Sequence, residues 1–384
     1  MMRILIAPNS FKECADAVEI TALFEENIKK ILKEQNTGDF EIIGKPVSDG
    51  GDGFLEVFKS NFTSEEIIIE LPDLTGRSVI KCPVLYSKEL ETVFVETAKI
   101  IGLNTVPADK RNPLKYNTGS IGILMKKIAG DEFAKSKRIR EIVFGIGGTA
   151  TNDLGIGVAS EFGLQLFEAK NKELSPLPGK FIKAEKILFD HPAYPFKLKV
   201  IADVNNPLTG ISGAATIYAP QKGADKDDIE LLETGTKNIL RLLKPDEIKI
   251  SKLSGAGGGL AAGFELFFGA EIISSKDFIL NYLGVNRKLK PEFVITGEGS
   301  FDSQSFFSKA ASVIIDEFRT SSKILICAGK ISDDCVNLND KNIELFELNR
   351  LFNSKEESIK NIRSGIEKAS GYFVNKILKS GVNK

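Results

Sequence analysis

The sequence is poor in the residue types that support zinc, redox and histidine-dependent chemistry. Its 384 residues include no tryptophan, three methionines, four cysteines and a single histidine, His191. No two cysteines form a Cys-x-x-Cys pair, so zinc-ligand spacing is absent and a reducing compartment is expected. A Ser-His or Cys-His nucleophile would depend on His191 alone, which lies in a proline-rich turn sequence. If the chain is an enzyme, we expect Asp, Glu or Lys side chains to move its protons.

An excess of one charge and a long apolar run are also missing. Lys and Arg number 51 against 52 for Asp and Glu, which argues against a nucleic-acid partner. No apolar run approaches the ~18 residues of a membrane span, and the apolar start of the chain is too short for a signal peptide. We therefore expect a cytoplasmic protein with a small-molecule substrate and no membrane partner. Its oligomeric state stays open.

The apolar pattern predicts an α/β protein. Short β-rich runs alternate with amphipathic helical stretches, which is typical of a parallel sheet covered by helices. The predicted strands are 3–8, 41–47, 93–98, 141–145, 198–203, 293–296, 323–328 and 343–348, with an extended hairpin at 67–86. We predict two α/β domains. Residues 1–65 and 286–384, from both chain ends, form a Rossmann-like, doubly wound parallel sheet, and residues 66–285 form an inserted α/β domain.

Two polar loops follow the first two predicted strands, at the place where open α/β sheets bind ligands. Lys12 ends the first loop, where it either pairs with a phosphate or carboxylate or is an ordinary solvated lysine. Asp49 and Asp52 lie in the second, glycine-rich loop. Their oxygens suit Mg²⁺ or a general base, although Asp-Gly turns are also common without any function.

The segment 145–153 carries a more specific pattern. Gly145-x-Gly147-x-x-Ala150 follows a predicted strand and matches a dinucleotide-binding pattern, and Glu168 falls near the position of a ribose-binding acid. This pattern supports an alternative hypothesis, a nicotinamide-dependent oxidoreductase. The hydroxyls and backbone N–H groups of the same segment suit a phosphate or a carboxylate equally well.

Further candidate loops lie in the second half of the chain. Asp203 ends a predicted strand and suits a base or a metal ligand, or begins an Asx turn. Lys222 supplies a cation in a loop, and residues 255–263 contain too many glycines for a stable helix. Residues 296–304 precede a predicted helix whose N-terminus suits an anion. The G-x-x-x-x-G-K-[ST] sequence of P-loop enzymes does not occur.

Taken in order, these loops resemble the type I glycerate kinase family across nearly the whole chain. The matching blocks are 8–12, 46–53, 111–113, 117–119, 145–155, 203–213, 220–224, 255–263 and 295–304. The resemblance implies a kinase that uses ATP and Mg²⁺ to phosphorylate D-glycerate, usually at the 2-hydroxyl, in a cleft between two α/β domains. The chain departs from the family pattern at five positions. The family has Asp, Gly, Gly, Asn and Gly where this chain has Asn9, Glu13, Ala219, Phe307 and Ser308.

Candidate roles follow from this resemblance. We predict Lys12 as the phosphate-neutralising cation, Asp49 or Asp203 as the base, and Asp49 as a Mg²⁺ ligand. Predicted substrate-binding residues are Ser10, Gly50, Gly51, Thr149, Asn152, Asp153 and Asn205. Predicted nucleotide-binding residues are Lys222, Gly297, Glu298, Asp302, Ser303 and Gln304. The alternatives are a kinase for another small hydroxy acid, the nicotinamide oxidoreductase, and a non-catalytic ligand-binding protein.

Overall fold

A computed structural model describes residues 2–11, 14–36, 39–191, 193–202, 206–243, 255–302, 310–335 and 340–378. The chain divides into two compact units. Unit 1 comprises Met1–Asp49, Glu56–Asn61 and Ser275–Lys384, and unit 2 comprises Gly50–Leu55 and Phe62–Ser274. The predicted domain boundaries stay a prediction. No helix in the described ranges has the length and apolar content that a membrane span requires.

Strands and helices alternate along most of the chain. The strands are β1 Met2–Ile6, β2 Phe40–Gly44, β3 Glu65–Pro72, β4 Val79–Ser87, β5 Thr92–Glu96, β6 Glu141–Gly145, β7 Gln165–Glu168, β8 Lys172–Leu174, β9 Lys186–Leu188, β10 Lys197–Ala202, β11 Glu271–Ser274, β12 Phe293–Phe301, β13 Lys323–Ile331 and β14 Ile343–Glu347. The α-helices are α1 Ala17–Glu34, α2 Phe54–Asn61, α3 Ala98–Ile101, α4 Gly119–Ala129, α5 Asp131–Ser136, α6 Ile156–Glu161, α7 Ala214–Tyr218, α8 Lys226–Leu243, α9 Leu260–Phe268, α10 Ser275–Asp277, α11 Ala310–Phe318, α12 Lys355–Lys360 and α13 Ile362–Tyr372.

Unit 1 contains a five-stranded parallel sheet with the order β14-β13-β12-β1-β2. β1 lies between β12 and the edge strand β2, and these two neighbours come from opposite ends of the chain, since Ile4 lies beside Phe293 and Ile42. Helix α1 begins after Asp16, whose side chain accepts a hydrogen bond from the Glu19 N–H, and it buries its apolar face in the same core. The predicted α/β class and the parallel sheet from both chain ends are confirmed. Strand order reverses between β1 and β12, where such sheets bind ligands.

Unit 2 contains a six-stranded sheet with the order β11-β10-β6-β5-β4-β3. β11, β10, β6 and β5 are parallel, and β4 and β3 form the predicted antiparallel hairpin. Glu96, Gly145 and Ile201 are in register, so the carboxyl ends of β5, β6 and β10 lie side by side. A separate antiparallel sheet has the order β8-β7-β9. The loops after β5 and β6 therefore begin at one edge of the larger sheet.

Two glycine-containing segments differ from the sequence prediction. β12 continues through Phe301 beside β13, so Gly297 and Glu298 lie in a strand and not in a loop. Gly297 permits this because a Cβ there would collide with the Cys327 backbone. The segment 255–263 is partly helical, since α9 begins at Leu260 and includes Gly263. The absence of a side chain at Gly263 lets the helix pack directly on the Leu154 backbone.

Candidate functional site

Loop 50–53 and loop 145–155 meet at the carboxyl edge of the unit 2 sheet. The Gly147 N–H donates to the Gly50 carbonyl at 3.0 Å. A Cβ on Gly147 would lie 2.5 Å from the Gly51 Cα, closer than packed atoms approach. Gly50 has φ +87°, and a Cβ there would lie 2.9 Å from Ile201 Cγ2 in β10. Glycines therefore allow the two loops to lie backbone to backbone above the strand ends.

Lys222 lies beneath loop 145–155 and not in an open loop. It ends a 3₁₀ turn, Pro220–Lys222, and only 2% of its surface is exposed. Its Nζ donates to the Thr151 carbonyl at 2.6 Å and to Thr149 Oγ1 at 3.4 Å. Burial lowers the pKa of Lys222 to about 7, and the negative charge of Asp153 acts in the opposite direction. Lys222 is thus a buried support for the Thr149 segment, in unit 2.

Asp153 is fully buried, and both oxygens of its carboxylate accept hydrogen bonds from other residues of the protein. Oδ2 accepts hydrogen bonds from the Thr118 N–H at 2.8 Å, the Thr118 hydroxyl at 2.8 Å and the Gly157 N–H at 3.0 Å. Oδ1 accepts from the Gly155 N–H at 3.2 Å. Burial raises the pKa of Asp153, and these four hydrogen bonds oppose that rise. The carboxylate thereby ties the beginnings of α4 and α6 to loop 145–155. Thr118 is a partner that sequence reasoning missed, although it lies in a matched block.

Two side chains between Thr149 and Asp153 carry buried polar atoms. Thr151 is fully buried and Asn152 is 3% exposed. Within the described ranges, Thr151 Oγ1 and Asn152 Oδ1 have no hydrogen-bond partner. Buried polar atoms nearly always have hydrogen-bond partners, so a ligand or a water molecule is expected beside each of these two atoms. The predicted role of Asn152 in substrate binding suits this position, and Thr151 is a further candidate that sequence reasoning did not select.

Glu96 is a second acidic residue that sequence reasoning missed. It ends β5 and is 2% exposed. Its Oε1 accepts from the Gly53 N–H at 3.2 Å and its Oε2 from the Leu55 N–H at 3.1 Å. Burial raises the pKa of Glu96, and the nearby Lys99 cation lowers it. The available sequence signal was its position at the carboxyl end of a predicted strand.

The predicted residues in unit 1 gather around the switch between β1 and β12. Asn9 is buried, its N–H donates to the Gly297 carbonyl at 2.9 Å, and its Oδ1 accepts from the Ser10 N–H at 2.8 Å. Glu298 is buried on β12, and Asp302 follows that strand as a half-buried residue. The structure therefore brings Ser10 close to Gly297, at the end of the sheet expected to bind ligands.

Asp49 is a half-buried residue at a bend, the last residue of unit 1 before loop 50–53. Five other predicted site residues, Lys12, Asp203, Asn205, Ser303 and Gln304, lie outside the described residues. Among the residues that are described, no three His, Cys, Asp or Glu side chains are grouped to hold a metal ion. The Mg²⁺ role of Asp49 stays a prediction.

The dinucleotide hypothesis does not fit the geometry of segment 141–168, all of which the structure describes. A dinucleotide fingerprint needs a helix that opens at the glycines, but β6 ends at Gly145 and α6 begins only at Ile156. The Ala150 N–H bonds to the Ile101 carbonyl at 2.7 Å, which draws the segment across α3. Glu168 pairs with Lys172 at 2.7 Å in the small antiparallel sheet.

Comparisons with known proteins agree on one family. The model of the glycerate kinase family matches residues 4–378. A glycerate kinase from Neisseria meningitidis serogroup B is 30% identical over 366 residues, 94% of each chain. A glycerate 2-kinase from Escherichia coli K12 is 31% identical and covers 87% of this chain and 86% of its own. The crystal structure of a Salmonella typhimurium LT2 protein described as a glycerate kinase 2 superposes with a TM-score of 0.71 at 25% identity, over all of both chains.

Proposed function

The chain belongs to the glycerate kinase family, and from this premise we propose that it transfers the terminal phosphoryl group of ATP to the 2-hydroxyl of D-glycerate. The observation that carries the proposal is the family match along nearly the whole chain. The name of the Escherichia coli relative, a glycerate 2-kinase, supports 2-phosphoglycerate as the product. Balanced net charge is compatible with small anionic substrates bound at local clusters.

We propose that loops 50–53 and 145–155 bind the hydroxy acid. Glycerate offers a carboxylate and two hydroxyls, which need backbone N–H, hydroxyl and amide partners. Thr149, Asn152, Gly50 and Gly51 supply such groups at the carboxyl edge of the unit 2 sheet, and Ser10 and Asn205 are the further predicted contacts. Asp153 and Lys222 support this surface from beneath through their contacts with Thr118 and Thr151. In this proposal Lys222 moves from the predicted nucleotide side to a supporting role.

Catalysis of phosphoryl transfer depends mainly on positioning the two substrates and neutralising the charge of the phosphate, and less on covalent chemistry by the protein. We propose that Lys12 neutralises the transferring phosphate and that Asp49 or Asp203 accepts the hydroxyl proton. Gly297, Glu298, Asp302, Ser303 and Gln304 form the proposed nucleotide side. The carboxylate of Asp49 suits Mg²⁺, which takes one or two carboxylates together with phosphate oxygens and water. When bound, this ion supplies charge neutralisation at the phosphates.

The proposal is tested by mixing purified protein with Mg·ATP and D-glycerate and following ADP release in a coupled assay. L-glycerate and a reaction without acceptor are the controls, and phosphorus NMR of the product separates the 2-phosphate from the 3-phosphate. We expect ADP release that depends on D-glycerate. A folded protein that turns over neither enantiomer would reject glycerate and favour another small hydroxy acid.

The same assay tests two of the proposed catalytic groups. Lys12→Ala and Asp49→Asn should each lower kcat by ~100-fold or more, because each removes a group that acts on the transferring phosphate or the proton. Lys30→Ala, on the exposed face of α1, is the matched control and should leave kcat unchanged. Near-normal turnover in both site variants would reject their assigned roles.

A further inference from the structure

We infer that Glu96 is a positioning residue of this enzyme, which holds loop 50–53 in place against loop 145–155. The inference rests on the proposed function. Loop 50–53 directly follows Asp49, a proposed catalytic residue, so the conformation of the loop affects the position of the Asp49 carboxylate. Each oxygen of Glu96 accepts a backbone N–H, and the residue is only 2% exposed, which keeps its carboxylate away from a substrate. Its role is therefore to place other groups.

The contacts of Glu96 fix loop 50–53 where α2 begins. Gly53 and Leu55 donate to opposite oxygens of one carboxylate at 3.2 and 3.1 Å, and the Phe54 N–H donates to the Gly51 carbonyl at 3.1 Å. The first N–H groups of a helix have no partner within the helix and carry partial positive charge. A carboxylate at this place satisfies two of the N–H groups at once and favours a single loop conformation.

The neighbouring residue links the same strand end to the second loop. Thr97 donates both its N–H and its hydroxyl to the Gly145 carbonyl, each at 3.0 Å. Loop 145–155 begins at that carbonyl, and its Gly147 N–H returns to the Gly50 carbonyl at 3.0 Å. Two consecutive residues, Glu96 at the end of β5 and Thr97 directly after it, therefore hold both loops, and a direct hydrogen bond joins the loops to each other. A substitution at Glu96 is therefore expected to disturb both loop 50–53 and loop 145–155.

The use of a buried charge for this purpose indicates more than ordinary helix capping. Helices are usually capped by a Ser, Thr, Asp or Asn that immediately precedes them. Here the acceptor comes from a residue 43 positions away and is 2% exposed. A buried carboxylate is costly to keep charged, and such residues are concentrated at functional sites. Asp52 and Lys99 are the charged neighbours that act on Glu96, with opposite signs.

The test is Glu96→Gln, with Glu91→Gln as the matched control. Glutamine keeps the shape but turns an NH₂ group toward one of the two N–H donors. We expect kcat to fall by ~10-fold or more while KM for glycerate and for ATP changes by less than about threefold, because misplacement of a catalytic loop affects the transition state most. Glu91 immediately precedes the same strand and pairs with Arg138 and Arg140 at 3.0 and 3.4 Å, so its variant should keep kcat.

Hydrogen exchange at the Gly53 and Leu55 amides gives a readout that does not depend on the substrate. We expect faster exchange at both amides in Glu96→Gln and wild-type exchange in Glu91→Gln. Unchanged exchange, or wild-type kcat in Glu96→Gln, overturns the inference. Wild-type protein that is inactive with glycerate rejects the proposed function instead, and the exchange experiment still decides on Glu96. If Glu96→Gln does not fold, Glu96→Asp serves as the second variant, because its shorter side chain cannot reach both N–H donors, and the same split between kcat and KM is expected.

Discussion

Replacing Asp153 with asparagine should destabilise unit 2, because one buried carboxylate accepts all four of the hydrogen bonds described above. Asparagine has the same shape but no charge and only one acceptor oxygen. That oxygen can serve the three donors that reach Oδ2, from Thr118 and Gly157. The amide NH₂ then faces the Gly155 N–H, which loses its acceptor inside the protein. The substitution thus removes one charged hydrogen bond and weakens three.

The expected size of the effect follows from these contacts. A hydrogen bond to a charged group contributes about 1.5–3 kcal/mol, and one between neutral groups contributes about 0.5–1.5 kcal/mol. The lost bond accounts for about 1.5–3 kcal/mol and each weakened bond for about 1–1.5 kcal/mol, which totals roughly 4.5–7.5 kcal/mol. Relief from burying a charge offsets part of this, so we expect a net loss of about 2–4 kcal/mol. At roughly 2–4 °C per kcal/mol, Tm falls by about 4–16 °C.

Thermal unfolding followed by circular dichroism measures this shift, and the coupled kinase assay is run on the same samples at 25 °C. Asp109→Asn, at an exposed position, is the matched control and should leave Tm within about 1 °C of wild type. If Asp153→Asn unfolds at the wild-type temperature but loses turnover, Asp153 acts on the substrate and our assignment of a supporting role is wrong.

Two further substitutions test the surroundings of loop 145–155. The pKa of Lys222 in the folded protein is about 7, which is below its value in the unfolded chain. Between about pH 7 and pH 10 the folded state therefore binds fewer protons than the unfolded state. The free energy of unfolding of the wild type should rise with pH over this range. Lys222→Met should abolish this rise in urea unfolding at several pH values, and equal slopes for both proteins would contradict the assignment. Gly258→Ala should lower Tm more than Gly269→Ala. Both glycines have positive φ, but a Cβ on Gly258 would collide with the Thr151 carbonyl oxygen and lie 2.9 Å from Asn152 Cα, whereas nothing lies within 4 Å at Gly269. Equal Tm losses in the two variants would show that the strain of a positive φ alone causes the destabilisation, with no contribution from the steric contacts at Gly258.

The architecture was predictable because it follows from local patterns. Apolar runs of strand length placed β1 and β6 close to their observed bounds. Strand ends were less predictable where pairing continues beyond the apolar run. β12 reaches Phe301 because β13 pairs with it, and no local signal in Gly297-Glu298 indicates that partner.

The sequence predicted which loops carry the candidate site residues. It did not predict which of their side chains are buried. A lysine after Ala-Pro-Gln gives no sign that its ammonium group is buried beneath Thr149, since that depends on how distant loops pack. Glu96 was missed for the same reason, because its partners lie 43 and 41 residues away. Thr149 and Asn152 lie in one short segment, so their proximity follows from the chain itself, and their role in substrate binding stays a prediction.

The origin of the unit 1 sheet in both chain ends has a consequence for synthesis on the ribosome. β1 and β2 are made first, but β1 cannot pair with β12 until about 250 more residues have been added. At ~5–20 residues per second, the nascent chain carries this half-finished sheet for roughly 12–50 s. During that time one side of β1 exposes unpaired backbone groups, the kind of strand edge on which chains aggregate. We expect the yield of native enzyme during expression to depend on chaperones that shield this edge until translation of β12 is complete.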